Sequence, residues 1–198
     1  MRRPLGPIVA PVGVAVFVAA TVAYKVIRGG KGPRGSIILV GDSYAVGLGP
    51  ACAEPPALPA GPGLKFNSNG VVGSNTAQWA EVVGEAAKQR NWKWLIWSLG
   101  TNDAGAPPDK LRGQIAHIAE VAKEHGSGLC WIRPPRAVLA KVPKAEAAWL
   151  EWGRVVGAGR TFDTDSHVKV ELSPDGLHPL SYRPWAEALW KWLAILTA

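Results

Sequence analysis

The chain has 198 residues, of which 47% are apolar and 19% charged, which is enough for one domain with a hydrophobic core and excludes a disordered protein. The formal net charge is +7, but the first 34 residues hold six of the 22 basic residues and no acidic residue. The remainder is close to neutral, which argues against a nucleic-acid-binding surface because such surfaces need clustered Lys and Arg.

Near the amino terminus, residues 8–24 (IVAPVGVAVFVAATVAY) form an uncharged run of seventeen residues flanked by basic ones. This length is at the short limit for a helix that crosses a bilayer. We expect a single-pass membrane anchor at 1–27 and a Gly-rich linker at 28–35, with a secreted form if the segment is cleaved as a signal. The expected localisation is the cell envelope. The side of the membrane stays open, because the basic residues after the span favour a cytoplasmic body and the signal-like character favours export.

From residue 36 to 198, apolar runs alternate with amphipathic stretches, as is typical of strands joined by helices in a parallel sheet. Strands are predicted at 36–40, 64–69, 93–100, 129–133 and 161–163. Helices are predicted at 76–89, 109–126, 144–157 and 181–197. Asn75 and Gln78 have the spacing of an N-terminal cap pair for the first of these helices. The predicted fold is an α/β domain at 36–198, a three-layer α/β/α sandwich around a five-stranded parallel sheet, preceded by one apolar N-terminal helix.

Polar motifs follow the first three predicted strands. GDSY begins at residue 41, GVVGSN at 70 and GTND at 100, while DGLHP, at 175–179, precedes the last helix. Ligands of open parallel sheets bind outside the carboxyl ends of the strands. We therefore expect these four motifs to converge there.

One pair in these motifs has the spacing of a proton-transfer unit. An aspartate three residues before a histidine in a tight turn, here Asp175 and His178, can bind the Nδ1 atom and leave Nε2 facing a serine. Ser43, just past the first strand, is the matching candidate nucleophile, because a serine hydroxyl needs a neighbouring base.

Attack by a serine on an ester also requires donors for the oxyanion that forms. Three loops offer such donors: the backbone N–H of Ser43, the backbone N–H of Gly73 and the side-chain amide of Asn102. Gly70 is a rival for the second donor, and Gly73 is preferred because it leads directly into the predicted helix.

Together, GDSYAVG, VVGSN, GTND and DGLH resemble the four ordered blocks of the SGNH hydrolases, also called GDSL-type esterases and lipases, over residues 36–197. The resemblance implies a flavodoxin-like fold and a triad of Ser43, His178 and Asp175. It also implies an oxyanion hole at Ser43, Gly73 and Asn102, with neither a metal nor an organic cofactor. The family cleaves carboxylic esters and some thioesters, including acetyl groups on sugars and acyl chains on lipids. Tyr44 departs from the aliphatic residue that often follows the serine, so we expect an altered pocket there.

The other chemistry-bearing residues are interpreted structurally. Surface roles are predicted for three histidines that lack matching partners: His117, His125 and His167. Core roles are predicted for four tryptophans at core spacing: Trp79, Trp97, Trp152 and Trp185. Trp131, near a strand end, is the candidate for stacking on a sugar. Cys52 and Cys130 are too few for a disulfide scaffold, and Cys130 is predicted to pack as a small apolar residue.

The function predicted from the sequence is a membrane-tethered serine esterase that acts on a small-molecule or polysaccharide ester, first of all O-acyl groups on envelope carbohydrate. Three alternatives remain. One is a lipid acyl hydrolase, the second a non-catalytic carbohydrate-binding module, and the third a structural envelope or virion protein.

Overall fold

The computed structural model describes residues 36–53, 66–88 and 92–197. The strands are β1 (Ser36–Gly41), β2 (Phe66–Gly70), β3 (Trp92–Ser98), β4 (Gly128–Arg133) and β5 (Thr161–Asp163). The α-helices are α1 (Ser43–Ala53), α2 (Thr76–Lys88), α3 (Pro108–Glu124), α4 (Ala145–Val156), α5 (Thr164–His167) and α6 (Arg183–Thr197). Short 3₁₀ turns occupy Thr101–Asp103, Arg136–Ala140 and Ala158–Arg160.

The predicted anchor and linker lie outside the described residues. Within the described ranges, every helix is too short or too polar to cross a bilayer.

The five strands form one parallel sheet in the order β2-β1-β3-β4-β5. Gly41 at the end of β1 is paired with Gly70 of β2 on one side and with Ser98 of β3 on the other. The strand order reverses between β1 and β3, because β2 is added on one side of β1 and β3 is added on the other side. In flavodoxin-like sheets of this order, that reversal is where ligands bind.

Helices cover both faces of the sheet and confirm the predicted sandwich. On one face, α2 packs against α3 and α3 packs against α4, while α1 and α6 contact each other on the opposite face. The central strands are apolar on both sides, as expected of a sheet covered twice. Leu39 in β1 and Ile96 in β3 are both fully buried.

Four tryptophans line the α2–α4 side of the core. The ring of Trp97 meets Trp79 edge-on at 5.7 Å, and Trp152 stacks between Trp97 and Trp131 at 6.3 and 6.0 Å. Trp131 is 1% exposed and its indole N–H donates to the carbonyl oxygen of Leu99 at 2.9 Å. The prediction that Trp131 stacks on a sugar is therefore wrong, because its side chain points into the core. The predicted core role of the other tryptophans, including Trp185 of α6, is confirmed.

Helix α1 was not predicted from the sequence. It carries Gly47, Gly49 and Pro50, residues that normally argue against a helix, and it shows no amphipathic pattern. These residues are accommodated because α1 lies between the sheet and α6, where small side chains allow the three elements to pack closely. The predicted cap of α2 is confirmed: the backbone N–H of Asn75 donates to Oε1 of Gln78 at 3.0 Å, and that of Gln78 donates to Oδ1 of Asn75 at 3.1 Å.

Candidate active site

Ser43 is the first residue of α1, two residues past the end of β1. It is half-buried, whereas Asp42 before it and Tyr44 after it are buried. The backbone N–H of Asp42 donates to the carbonyl oxygen of Ser98 at 3.1 Å, which ties the turn to the end of β3. The helix therefore begins at the strand reversal, and its positive end lies at Ser43.

His178 lies on a loop closed by its own backbone hydrogen bonds. Leu172 and Pro179 form an antiparallel bridge, and the backbone N–H of Ser173 donates to the carbonyl oxygen of His178 at 2.7 Å. The turn between them carries Asp175 at its tip. The loop thus holds the carboxylate and the imidazole on the same side of one tight turn.

The structure brings the three predicted catalytic side chains into one chain of contacts. Nδ1 of His178 lies 2.7 Å from Oδ2 of Asp175, and Nε2 of His178 lies 2.9 Å from Oγ of Ser43. An ionised carboxylate only accepts, so Nδ1 carries the proton and a neutral ring has its acceptor at Nε2. The Ser43 hydroxyl then donates to His178, which is the arrangement that general-base activation of a serine requires.

The carboxylate of Asp175 is held in its ionised form. Its Oδ1 atom accepts hydrogen bonds from the Ser173 hydroxyl at 2.6 Å, from the backbone N–H of Leu177 at 2.8 Å and from that of His178 at 3.0 Å. The Ser173 and His178 hydrogen bonds hold the pKa of Asp175 well below its usual range. Asp175 therefore stays charged and able to orient the imidazole across the neutral pH range.

The predicted oxyanion donors lie on loops that are hydrogen-bonded to one another. The side-chain amide of Asn102 donates to the carbonyl oxygen of Ser74 at 3.0 Å and lies 3.5 Å from Oδ2 of Asp42. The Ser74 hydroxyl donates to the carbonyl oxygen of Gly41 at 3.1 Å. One hydrogen-bond network at the strand reversal therefore contains Gly41, Asp42, Ser74 and Asn102.

Of the two glycines considered for the second donor, each has a different structural task. Gly73 is exposed, with φ of +75°, a left-handed conformation that glycine adopts without strain, and a Cβ there would meet no atom within 4 Å. Gly70 is buried at the end of β2, where a Cβ would lie 2.5 Å from the backbone nitrogen of Val46. Gly70 therefore serves the close packing of α1 on β2, and Gly73 has the open backbone that the prediction requires.

Ser74 is a supporting residue that the sequence analysis missed. Besides its bond to Gly41, its hydroxyl accepts the indole N–H of Trp79 at 2.9 Å, and its backbone N–H donates to the carbonyl oxygen of Val71 at 3.1 Å. Ser74 is fully buried. Its place directly after Gly73 was visible in the sequence. The strand pairing that brings Gly41 and Trp79 close to it was not.

A second missed support is the contact between Asp103 and Thr76. Asp103 accepts the backbone N–H of Thr76 at 2.9 Å and its hydroxyl at 2.6 Å, and the indole N–H of Trp152 donates to the same hydroxyl oxygen at 3.1 Å. Asp103 thus joins the loop after β3 to the start of α2.

Asp42 is the third. It is 1% exposed, and its Oδ1 atom accepts the backbone N–H of Tyr44 at 3.0 Å. Burial raises the pKa of Asp42 to about 8, with a smaller contribution from the neighbouring Asp103. The carboxyl next to the candidate nucleophile is therefore mostly uncharged at neutral pH.

Other predictions made for single residues can now be placed. His117 is exposed, His125 is half-buried, and the exposed ring of His167 stacks on Phe162 at 4.7 Å. Cys52 and Cys130 are both buried free thiols. Within the part of the chain that the structure describes, no group of three metal-ligating side chains lies close enough together to hold an ion.

No protein-family model matches the sequence, and no curated protein matches it. Solved structures match in fold. TesA aligns with a TM-score of 0.62 at 19% identity, over 81% of this chain and 99% of that chain. A GDSL-like lipase from Bacteroides thetaiotaomicron aligns with a TM-score of 0.59 at 16% identity, over 82% and 88%. A family 3 carbohydrate esterase from Clostridium thermocellum aligns with a TM-score of 0.60 at 18% identity, over 83% and 97%.

These similarities establish the fold of the chain, which is that of the GDSL-like lipase and the carbohydrate esterase. The fold is the one that the resemblance to the SGNH hydrolases implies.

Proposed function

We propose that the chain is a serine ester hydrolase of the SGNH type. The observation that carries the proposal is the contact chain from Ser43 Oγ to His178 Nε2 at 2.9 Å and from His178 Nδ1 to Asp175 at 2.7 Å. Three residues on two distant segments meet in the order that a catalytic triad needs. A binding module or a structural protein with this fold would not need that order.

The proposed reaction has two steps. Ser43 Oγ attacks the ester carbonyl carbon while Nε2 of His178 takes the hydroxyl proton, and the alcohol leaves with that proton. Water then attacks the acyl-serine while His178 takes a proton from it, and His178 returns this proton to Oγ of Ser43 as the acid is released. Asp175 orients the ring and stabilises its charged form. The backbone N–H groups of Ser43 and Gly73 and the amide of Asn102 receive the negative charge on the carbonyl oxygen.

For the substrate, we propose O-acyl groups on carbohydrate of the cell envelope. The side chains of His178 and Asp175 are 38% and 46% exposed, so the triad is accessible to an ester on a bulky polymer. The structural similarity to a carbohydrate esterase agrees with this class, as does the apolar run at 8–24, which would hold the domain at a membrane.

A lipid acyl hydrolase is the second candidate, favoured by apolar side chains near the triad. Val46, Val72 and Leu180 are 41%, 66% and 63% exposed, and each lies within three residues of a proposed catalytic or oxyanion residue. Exposed apolar side chains at these three positions would suit an aliphatic chain. Activity of the full-length protein on p-nitrophenyl esters of increasing chain length decides between the two: a decline after acetyl supports the sugar ester, and a rise toward long chains supports the lipid.

The test of the proposed activity is turnover of p-nitrophenyl acetate by the full-length chain and by Ser43→Ala. We expect the substitution to reduce kcat by at least about 10³-fold, since the nucleophile is lost. Ser166→Ala, which removes an exposed hydroxyl bonded to Asp163, is the matched control and should keep full activity. Equal rates for the unaltered chain and Ser43→Ala would reject the proposed function.

The proposed membrane attachment has a separate test. The full-length chain should sediment with membranes and resist extraction by alkaline carbonate, and a chain without residues 1–34 should not. Equal partitioning of both forms would contradict an anchor at 1–27.

A further inference from the structure

Tyr44 links the candidate nucleophile to the histidine loop. It directly follows Ser43 in the first turn of α1, and its side chain is 2% exposed. Its hydroxyl donates to the carbonyl oxygen of Leu177 at 2.9 Å, across 133 positions of sequence. Leu177 is the residue before His178. One hydrogen bond therefore joins the neighbour of the serine to the neighbour of the histidine.

The ring of Tyr44 is held in place by its surroundings. It meets Trp185 of α6 edge-on at 5.6 Å and lies 5.8 Å from the ring of His178 at an angle of 47°. Burial raises the pKa of Tyr44, with a further contribution from Asp42. The side chain thus remains a protonated donor at neutral and moderately alkaline pH. The expectation that Tyr44 reshapes a substrate pocket is not supported by a side chain buried in this way.

The loop's own hydrogen bonds do not fix its distance from Ser43. The bonds from Ser173 to His178, from Gly176 to Ser173 and from Leu180 to Glu171 all run within the loop. They set the shape of the turn, and the bonds to Asp175 set the orientation of the imidazole. A contact to the body of the domain is needed to hold this unit against α1, and the Tyr44 hydroxyl supplies one beside the imidazole.

We propose that Tyr44 is a positioning residue whose hydroxyl sets the distance between Ser43 and His178. The proposal rests on the proposed function. Its physical basis is that transfer of a proton from Ser43 to Nε2 depends steeply on their separation, and misplacement by about 1 Å can cost roughly 10²-fold in rate. Packing alone would require only the ring, so the hydroxyl is the group that distinguishes positioning from core filling.

The experiment compares Tyr44→Phe with Tyr182→Phe. Tyr44→Phe keeps the buried ring and removes the hydroxyl that donates to Leu177. Tyr182→Phe removes another hydroxyl from a ring that stacks on the same Trp185, at 6.2 Å, and is therefore the matched control. Two measurements are made on each full-length protein: kcat and KM for p-nitrophenyl acetate, and deuterium exchange of the backbone amides in residues 173–180. Exchange reports opening of the loop whether or not the protein turns over substrate.

We expect Tyr44→Phe to lower kcat about tenfold with KM within twofold, and to speed exchange of the loop amides about tenfold. Tyr182→Phe should change neither. Unchanged exchange in Tyr44→Phe would overturn the proposal, as would an unchanged kcat or a change confined to KM, which would indicate contact with substrate. If the unaltered chain shows no turnover, the proposed function fails. The exchange result then still decides whether the hydroxyl holds the loop.

Discussion

At the scale of single residues, the side-chain amide of Asn102 is the proposed oxyanion donor that a substitution can remove without touching the backbone. We predict that Asn102→Ala lowers kcat by about 10²- to 10³-fold and leaves KM nearly unchanged, because the lost hydrogen bond forms mainly in the transition state. Steady-state kinetics on p-nitrophenyl acetate measures this. The lost bond to Ser74 should also reduce the free energy of unfolding by about 1 kcal/mol.

A control for Asn102→Ala is Asn75→Ala. It removes a side-chain amide that caps α2 by accepting the backbone N–H of Gln78. It should lower the free energy of unfolding by about 1 kcal/mol and leave kcat unchanged. If Asn102→Ala retained kcat within twofold, Asn102 would not be an oxyanion donor.

Asp42 gives a prediction about pH. Its carboxyl has a pKa of about 8 in the folded protein and about 4 when unfolded, so between these values the folded state holds a proton that the unfolded state has released. Stability from this group is therefore complete below pH 4 and is lost as the pH rises toward 8. Unequal protonation over about four pH units corresponds to roughly 5 kcal/mol. We predict that the melting temperature of the unaltered chain, relative to Asp42→Asn, falls by roughly 10–20 °C from pH 4 to pH 8.

The melting curves should be recorded for both proteins in the same buffers between pH 4 and 9. Asparagine keeps an oxygen for the Tyr44 N–H but does not titrate. The variant therefore shows how the melting temperature depends on pH without the contribution of the Asp42 carboxyl. If the melting temperature of the unaltered chain minus that of Asp42→Asn stayed constant or rose with pH, the buried carboxyl would be charged in the folded state.

Sequence patterns predicted the residues that meet at the site but not the residues that hold them there. Ser43, Asp175 and His178 were visible because each sits in a short motif with a recognisable spacing. The roles of Asp42, Ser74 and Tyr44 depend on strand register and on contacts with residues far along the chain. These contacts leave no local pattern, which is why Trp131 was also misassigned.

At the scale of secondary-structure elements, the position of α1 on the sheet decides where Ser43 lies. At Gly70, a Cβ would fall 2.5 Å from the nitrogen of Val46 and 2.9 Å from the carbonyl carbon of Ala45, both in the backbone of α1. We predict that Gly70→Ala pushes α1 from β2, lowers the free energy of unfolding by about 1–3 kcal/mol and reduces kcat. Urea unfolding and steady-state kinetics measure the two effects.

The matched control is Gly113→Ala in α3, where a Cβ would meet no atom within 4 Å. Alanine favours a helix more than glycine does, so this substitution should raise the free energy of unfolding by about 0.5–1 kcal/mol without affecting kcat. Equal stability changes in the two variants would mean that α1 does not pack as closely on β2 as the structure has it.

Most elements could be predicted from the sequence because their apolar residues repeat with the period of a strand or a helix. β3 and α3 are examples, with bounds that differ from the prediction by only a few residues. Helix α1 could not, since it is packed on more than one side and its small residues serve close contacts. Its buried positions are those of Tyr44, Ala45, Leu48, Gly49 and Cys52.

At the scale of the whole molecule, the sheet order explains why residues so far apart in sequence can act together. The strand order reverses between β1 and β3, and the loops after β1, β2 and β3 all begin next to one another at that point. The fourth loop, between α5 and α6, reaches the same edge through the contacts of His178 and Leu177 with Ser43 and Tyr44. The fold therefore brings the hydroxyl of Ser43, the imidazole of His178 and the loop that carries Asn102 to one edge of the sheet.

The most direct test of the central claim is covalent labelling of the full-length chain with an alkyl fluorophosphonate, followed by mass spectrometry. The reagent reacts with a serine that a neighbouring base activates. We predict a single adduct on the peptide that contains Ser43, no adduct in Ser43→Ala, and labelling slowed by at least about 10²-fold in His178→Ala. An adduct on another residue, or labelling of Ser43→Ala at the rate of the unaltered chain, would contradict the claim that Ser43 is the activated nucleophile.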